Sequence, residues 1–301
     1  MNAKAHTNLQ LDAASFRAIA DLAYRESGLT LVEEKATMIQ SRLRQRLRAL
    51  GLSNFQDYCT LIGSDDGHTE RRHLISALTT NVSHFFRESH HFETLATVLE
   101  NRLPHLRAGG TMRIWSAGCS NGQEAVSALI TLLEHAPEVA NLDLRILGTD
   151  IDPKVVAFAR AGVYPDRLMG GVSDALRAKY FTNANTADGE AEYATNEMIR
   201  RMIRFNELNL LGQWPMARPF DLILCRNVVI YFDAQTQAAL WPRFRKVLKS
   251  DGLLFLGHSE RISDPARFGF DCTGPTTYAP WPDKAQYHNG LRVSELQQRG
   301  R

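Results

Sequence analysis

Four short segments place polar and charged residues where an apolar run ends. In Ile114-Trp115-Ser116-Ala117-Gly118-Cys119-Ser120-Asn121-Gly122-Gln123-Glu124, an apolar stretch passes through two glycines into a helical pattern. Glycines at such a turn let a ligand approach the backbone. The Gly-x-x-x-Gly spacing lacks the Gly-x-Gly-x-x-Gly arrangement built for a dinucleotide pyrophosphate, which argues against NAD. A second run ends in Gly148-Thr149-Asp150-Ile151-Asp152. An acid at that position accepts hydrogen bonds from both hydroxyls of a ribose, so Asp150 and the glycine turn together point to a nucleoside site. Asp152, before Pro153, reads as a helix N-cap. A third run, Asp221 to Cys225, leads into Arg226, Asn227 and Tyr231, with Phe232 read as packing. In the fourth, Thr79 to Glu88, polar Asn81, Ser83 and Arg87 stand among apolar Val82, Phe85 and Phe86. A helix from Ser83 to Arg87 would put those two on one face, in a linker placed to act as a lid.

The elements that must position these segments follow from periodicity. Residues 9 to about 105 read as helices, with apolar stripes Phe16-Ile19-Ala20-Ala23, Ile39-Leu43-Leu47-Leu50 and Leu74-Ile75-Leu78. Gly28, Gly51 and Gly63 fall just past helical stretches, where C-caps and turns belong. From Arg113 the pattern changes to short apolar runs alternating with helical ones, the signature of a parallel sheet flanked by helices. Strands are expected at 112–116, 144–149, 202–205, 221–225 and 253–256, helices at 122–134, 153–161 and 234–248, and a closing antiparallel hairpin within 268–281. The expected division is a helical domain (1–80), a linker or lid (81–105), an α/β domain (106–281) with an insertion at about 163–199, and a flexible tail (282–301). The insertion carries Gly170-Gly171, a helical Ser173 to Phe181 and a polar Thr182 to Glu192, which suit either a small surface sheet or a docking subdomain.

Composition narrows the class. The 301 residues carry 35 basic and 33 acidic side chains, with 44% hydrophobic and 23% charged residues, which excludes a largely disordered chain. No run approaches the roughly 18 apolar residues of a membrane span. Met1 to Leu11 lacks a secretory pattern, so a cytoplasmic location is expected. Four scattered cysteines give no disulfide framework. His90 and His91 stand side by side without a cysteine or carboxylate at ligand spacing, so no metal is expected.

Asn81-Val82-Ser83-His84-Phe85-Phe86-Arg87, Cys225-Arg226-Asn227-Val228-Val229-Ile230-Tyr231-Phe232-Asp233 and Gly252-Leu253-Leu254-Phe255-Leu256-Gly257-His258-Ser259-Glu260, in this order, resemble the CheR family of chemotaxis receptor methyltransferases. The resemblance runs from the helical stretch to Tyr278. It implies a class I S-adenosylmethionine-dependent fold of α/β type, Rossmann-like, with a mostly parallel sheet and a C-terminal antiparallel hairpin, preceded by a small all-helical domain and carrying a small inserted subdomain. It implies methyl transfer from S-adenosylmethionine to glutamate carboxylates of bacterial chemoreceptors, leaving S-adenosylhomocysteine. Carried over by residue, it implies that Asn81, Ser83 and Arg87 approach the methionine end and the methyl, with Ser83 where the family usually has Thr. Glu124 and the Gly118 to Gly122 turn would hold the amino acid part and the ribose side, Asp150 the ribose, and Asn209 and Leu210 the adenine. Arg226, Asn227 and Tyr231 would line the transfer site, with Arg87 and Tyr231 as the catalytic pair. The sequence departs from the family after Glu124, where Ala125-Val126-Ser127 replaces the usual Pro-Tyr-Ser, a change expected to alter packing under the turn.

A glutamate carboxylate is ionised at neutral pH, with an unperturbed pKa of roughly 4.3, so no strong general base is needed and alignment is the task. Arg42, Arg44, Arg46 and Arg48 lie in a helix that has no acid after Lys35. They are expected to meet the acidic, glutamate-containing helical region of a receptor. The expected enzyme is a monomer without direct membrane insertion. Two other functions fit less well. A nucleic-acid methyltransferase sits poorly with a net charge of +2 and with no Asn-Pro-Pro-Tyr or Asp-Pro-Pro-Tyr motif. A module that senses S-adenosylmethionine without catalysis would leave Arg87 and Tyr231 without a role.

Overall fold

The computed structural model describes residues 10–185 and 190–281. The tail expected at 282–301 and the middle of the polar insertion lie outside the described residues.

Four helices build the first unit: α1 (Ala13–Ser27), α2 (Ala36–Leu50), α3 (Phe55–Gly63) and α4 (His68–Leu78). Asp12 caps α1 by accepting from the Ser15 N–H, and Gly28 ends it at φ 74°, a left-handed conformation suited to glycine. Ile19, Ile39, Leu43, Leu47, Phe55, Tyr58 and Leu74 meet in one core. Each such apolar side chain contributes about 1.5–3 kcal/mol on burial. Leu50, expected in the α2 stripe, is 38% exposed, because it is the last residue before the Gly51 cap.

Helix α5 (His90–Arg107) leads into a seven-stranded sheet. Its elements are β1 (Met112–Ala117), α6 (Gln123–His135), β2 (Leu144–Asp150), α7 (Pro153–Ala161), β6 (Ile203–Glu207), β7 (Phe220–Cys225), α10 (Ala234–Val247), β8 (Leu248–Leu256), β9 (Phe270–Gly274) and β10 (Thr277–Pro280). The order is β6-β2-β1-β7-β8-β10-β9, with β10 antiparallel to both neighbours and the other pairs parallel. Strand β8 starts five residues earlier than expected, at Leu248. A register shift against Phe220 and Leu222 lets the charged Lys249-Ser250-Asp251 stretch continue the ladder.

The insertion folds as β3 (Val163–Pro165), α8 (Asp174–Tyr180), β4 (Phe181–Asn185), β5 (Ala191–Thr195) and α9 (Glu197–Met202). Its three strands form an antiparallel sheet ordered β3-β5-β4. Tyr164 seats it on the rest of the molecule: the ring lies 5.1 Å edge-on from Phe85 and the hydroxyl donates to the Asn121 carbonyl at 2.9 Å. Chain order reverses on either side of β1, so a crevice opens at the carboxyl ends of β1 and β7.

Candidate functional site

On the β1–β2 side of this crevice the backbone turns sharply after Ala117. Gly118 has φ 86°, and a Cβ there would sit 2.3 Å from Val228 Cγ2, so only glycine lets the two loops approach. The Gly118 and Cys119 N–H groups both donate to the Thr149 carbonyl at 2.8 Å, which ties the turn to β2. Asp150 at the tip of β2 is 8% exposed. Its Oδ2 accepts from the Ser120 N–H at 2.8 Å and its Oδ1 from the Asp152 N–H at 3.0 Å. Burial pushes its pKa up, and these backbone donors pull against that. A carboxylate has room for more bonds than these two, so Asp150 keeps acceptor capacity.

Glu124, in the first turn of α6, accepts from the Ser116 hydroxyl at 2.7 Å and lies 3.3 Å from Arg226 Nη1. Burial raises its pKa, against the opposing charge of Arg226. The Arg226 side chain is 2% exposed and crosses the crevice floor. Its Nη2 donates to the Arg87 carbonyl and stands 3.3 Å from Glu88 Oε2. The loop from Arg226 to Tyr231 is held from below by Glu260, which accepts from the N–H groups of Asn227 (2.8 Å), Gly257 (2.6 Å) and Ile230 (3.1 Å). That is the structural part played by the Gly252 to Glu260 motif. The Tyr231 carbonyl accepts from the Thr30 N–H at 2.9 Å, so the end of α1 braces this loop.

Asn81, Ser83, Arg87, Gly118, Glu124, Asp150, Asn209, Leu210, Arg226, Asn227 and Tyr231 all line one pocket. The structure thus brings together residues singled out from four separate segments with Asn209 and Leu210, which the resemblance added. Their local roles are finer than the sequence suggested. The Asn81 amide donates to Asp152 Oδ2 at 2.7 Å, beside Asp150 rather than toward Glu124. The Asn209 side chain is already occupied, donating to the Glu26 carbonyl at 2.7 Å and accepting from the Leu211 N–H at 2.9 Å. Ser27 and Leu29, at the end of α1, also line the pocket, a contribution that periodicity could not reveal.

Several expectations need correction. The segment from Ser83 to Arg87 is not helical: Phe86 and Glu88 have φ of 56° and 58°, and Arg87 lies between them. Arg42 and Arg46, expected to meet a partner, have internal partners instead. Arg42 Nη1 donates to the carbonyls of Leu78 and Thr79, both at 3.0 Å, capping α4, and Arg46 pairs bidentately with Glu70 at 3.0 and 2.6 Å. Glu70 also accepts from the Tyr58 hydroxyl at 2.9 Å, which makes this a core network. The histidine pair does have a carboxylate nearby, since ligand atoms of Glu88, His90 and His91 lie within 4.8 Å of one another. Glu88 faces Arg226, Asn227 and His258, and His91 Nε2 lies 3.0 Å from Thr276 Oγ1, so Glu88 and His91 are already engaged by neighbouring side chains.

A seven-stranded sheet with a reversed hairpin at one edge, a glycine turn after β1 and an acid at the tip of β2 define a nucleoside-binding α/β fold of the methyltransferase type. Residues 81–278 match the family model for the CheR methyltransferase S-adenosylmethionine-binding domain, and residues 14–79 the model for the CheR methyltransferase all-alpha domain. A probable chemotaxis protein methyltransferase of Rhizobium etli is 47% identical over 256 residues, 85% of this chain and 95% of its own. The chemotaxis protein methyltransferase of Salmonella typhimurium is 39% identical over 92% of this chain and 93% of its own, and that of Escherichia coli 38% over 90% and 92%. The chain belongs to the CheR methyltransferase family. It is an S-adenosylmethionine-dependent methyltransferase of chemotaxis.

Proposed function

We propose that the crevice binds S-adenosylmethionine with its ribose on Asp150 and its amino acid part near Glu124, and that a chemoreceptor glutamate is methylated between Arg87 and Tyr231. The observation that carries this reading is the convergence of all eleven candidate residues on one pocket at the carboxyl ends of β1, β2 and β7. The residues present suit the ligand: Asp150 retains acceptor capacity for hydroxyls, and the Glu124 carboxylate faces the same space as a cationic ligand would. When bound, S-adenosylmethionine supplies an electrophilic methyl on a sulfonium.

The protein's own task is alignment. Arg87 Nη1 donates to the Val82 carbonyl at 3.3 Å, its Nε stands 3.9 Å from Glu88 Oε1 and its side chain is 28% exposed, so its free N–H groups can meet an incoming carboxylate. The Tyr231 hydroxyl holds no hydrogen bond among the described residues and is available to donate. Together they would orient the substrate carboxylate with one oxygen free to accept the methyl that bound S-adenosylmethionine would supply. No proton is moved. Orientation of this kind contributes about 7–11 kcal/mol.

The receptor region is acidic and helical in this reading, and its contact on α2 is Arg48, which is exposed. The enzyme acts as a cytoplasmic monomer. No helix among the described residues is long and apolar enough to cross a membrane. The experiment is kinetic: Arg87→Ala and Tyr231→Phe should bind S-adenosylhomocysteine while losing methyl transfer to receptor. Wild-type transfer by Arg87→Ala would remove Arg87 from the reaction.

A further inference from the structure

Glu88 carries no signal of its own in the sequence, yet its carboxylate joins three parts of the chain beside the pocket. Oε1 lies 3.0 Å from His258 Nδ1 and accepts from Asn227 Nδ2 at 3.3 Å. Oε2 lies 3.3 Å from Arg226 Nη2 and 3.7 Å from His91 Nδ1. Burial alone would raise its pKa, but the His258 hydrogen bond and the charge of Arg226 outweigh it and hold Glu88 at about 2. An ionised carboxylate only accepts, so His258 carries its proton on Nδ1.

The backbone here is unusual. Phe86 and Glu88 both adopt left-handed φ, 56° and 58°, and enclose Arg87. Such residues are strained and persist only where the surroundings over-determine them. Three contacts do so. The Phe86 N–H donates to the Ser127 hydroxyl at 2.9 Å, Arg226 donates to the Arg87 carbonyl, and the Glu88 carboxylate binds what lies on the other side.

We propose that Glu88 is a positioning residue: its carboxylate, shared by Arg226, Asn227 and His258, locks the double left-handed turn that presents Arg87 to the pocket. Without it, Arg226 is left with Glu124 as its one carboxylate and the turn loses its hold on Asn227. The inference rests on the proposed function for the role of Arg87, and on geometry alone for the turn.

The test uses the full chain with Glu88→Gln, Glu88→Asn and Glu88→Asp. Asp and Asn both tolerate left-handed backbone and differ in charge, so they separate the carboxylate from the conformation. Glu88→Gln and Glu88→Asn should lower kcat for receptor methylation by about tenfold to a hundredfold, the scale of a misplaced reacting group. Both should speed amide hydrogen exchange across 82–88, while S-adenosylhomocysteine binding changes less than kcat. Glu88→Asp should retain most of the activity and protection. Wild-type kcat and exchange in Glu88→Gln would overturn the proposal. So would Glu88→Asp falling as far as Glu88→Asn, or ligand binding lost in step with kcat, which would mark a general structural role. A wild-type enzyme that methylates no receptor would instead sink the functional reading, and the exchange measurement would still decide the role of Glu88.

Discussion

The two ends of the central sheet both bury charge, and they do it differently. At the amino end Asp221 is fully buried and matched on every side: Lys249 Nζ at 2.8 Å, Arg102 Nε at 3.6 Å and the Arg113 N–H at 2.8 Å. At the carboxyl end Arg226 lies between Glu88 and Glu124, and Glu88 Oε2 and Arg226 Nε are buried without a hydrogen-bond partner among the described residues. The first arrangement is closed and holds the sheet together. The second is incomplete and borders the pocket, as expected of a site whose remaining partner is a ligand. The same carboxylate chemistry therefore closes on itself at one end and, in the proposed function, is left for binding at the other.

Breaking the amino end should have the largest effect on folding. Asp221→Ala leaves two cations facing a buried gap and should destabilise the protein by about 3–5 kcal/mol in denaturant titrations, with ligand affinity of the folded fraction unchanged. A matching loss of affinity would mean that the two ends are not separate. Asp150→Ala should act the other way round, weakening S-adenosylhomocysteine by about 1.5–3 kcal/mol in calorimetry, the scale of hydrogen bonds to a charged group.

Acid sharpens the contrast. His91 is held neutral at about 3, first by burial and then by the charge of Arg226, against a usual 6.5. Below pH 6.5 the unfolded chain takes up a proton that the folded one refuses, so this contribution is present above 6.5 and is lost as pH falls toward 3. Glu88, at about 2 against a usual 4.5, contributes above 4.5 and loses that as pH falls toward 2. His91→Phe should flatten the stability curve from pH 6.5 downward and Glu88→Gln its lower part. Unchanged curves would remove these groups from the acid response.

The smallest effect belongs to the surface of α2. Arg48→Glu should slow receptor methylation a few-fold at low salt, with the difference shrinking as salt rises. Arg42→Ala and Arg46→Ala should instead lower stability, because their partners are internal.

Where the sequence was legible, a local signal carried the answer. Pro153 and Asp152 marked the start of α7, and the paired glycines marked the turn after β1, because caps and turns are set by neighbouring residues. Gly118, Glu124, Asp150, Arg226, Asn227 and Tyr231 were legible because each follows an apolar run, and strand ends converge in a parallel sheet; Asn209 and Leu210 came from the family resemblance alone. The lid was not: spacing alone cannot distinguish a helix from a turn whose left-handed residues are held by Ser127 and Arg226. Glu88 and Glu260 were invisible as site members for the same reason, since Glu88 meets Asn227 139 positions away and Glu260 meets Asn227 33 positions away. Arg46 looked available because Glu70, 24 residues on, shares no periodicity with it.

The most direct test is transfer of a labelled methyl group from S-adenosylmethionine to receptor-containing membranes, read by the base lability of the product. Base-labile label on the receptor, lost with Arg87→Ala, is the predicted result, since only a carboxyl methyl ester behaves so. Tight binding of S-adenosylmethionine with no label on any receptor would contradict it and leave a cofactor-sensing module as the better description.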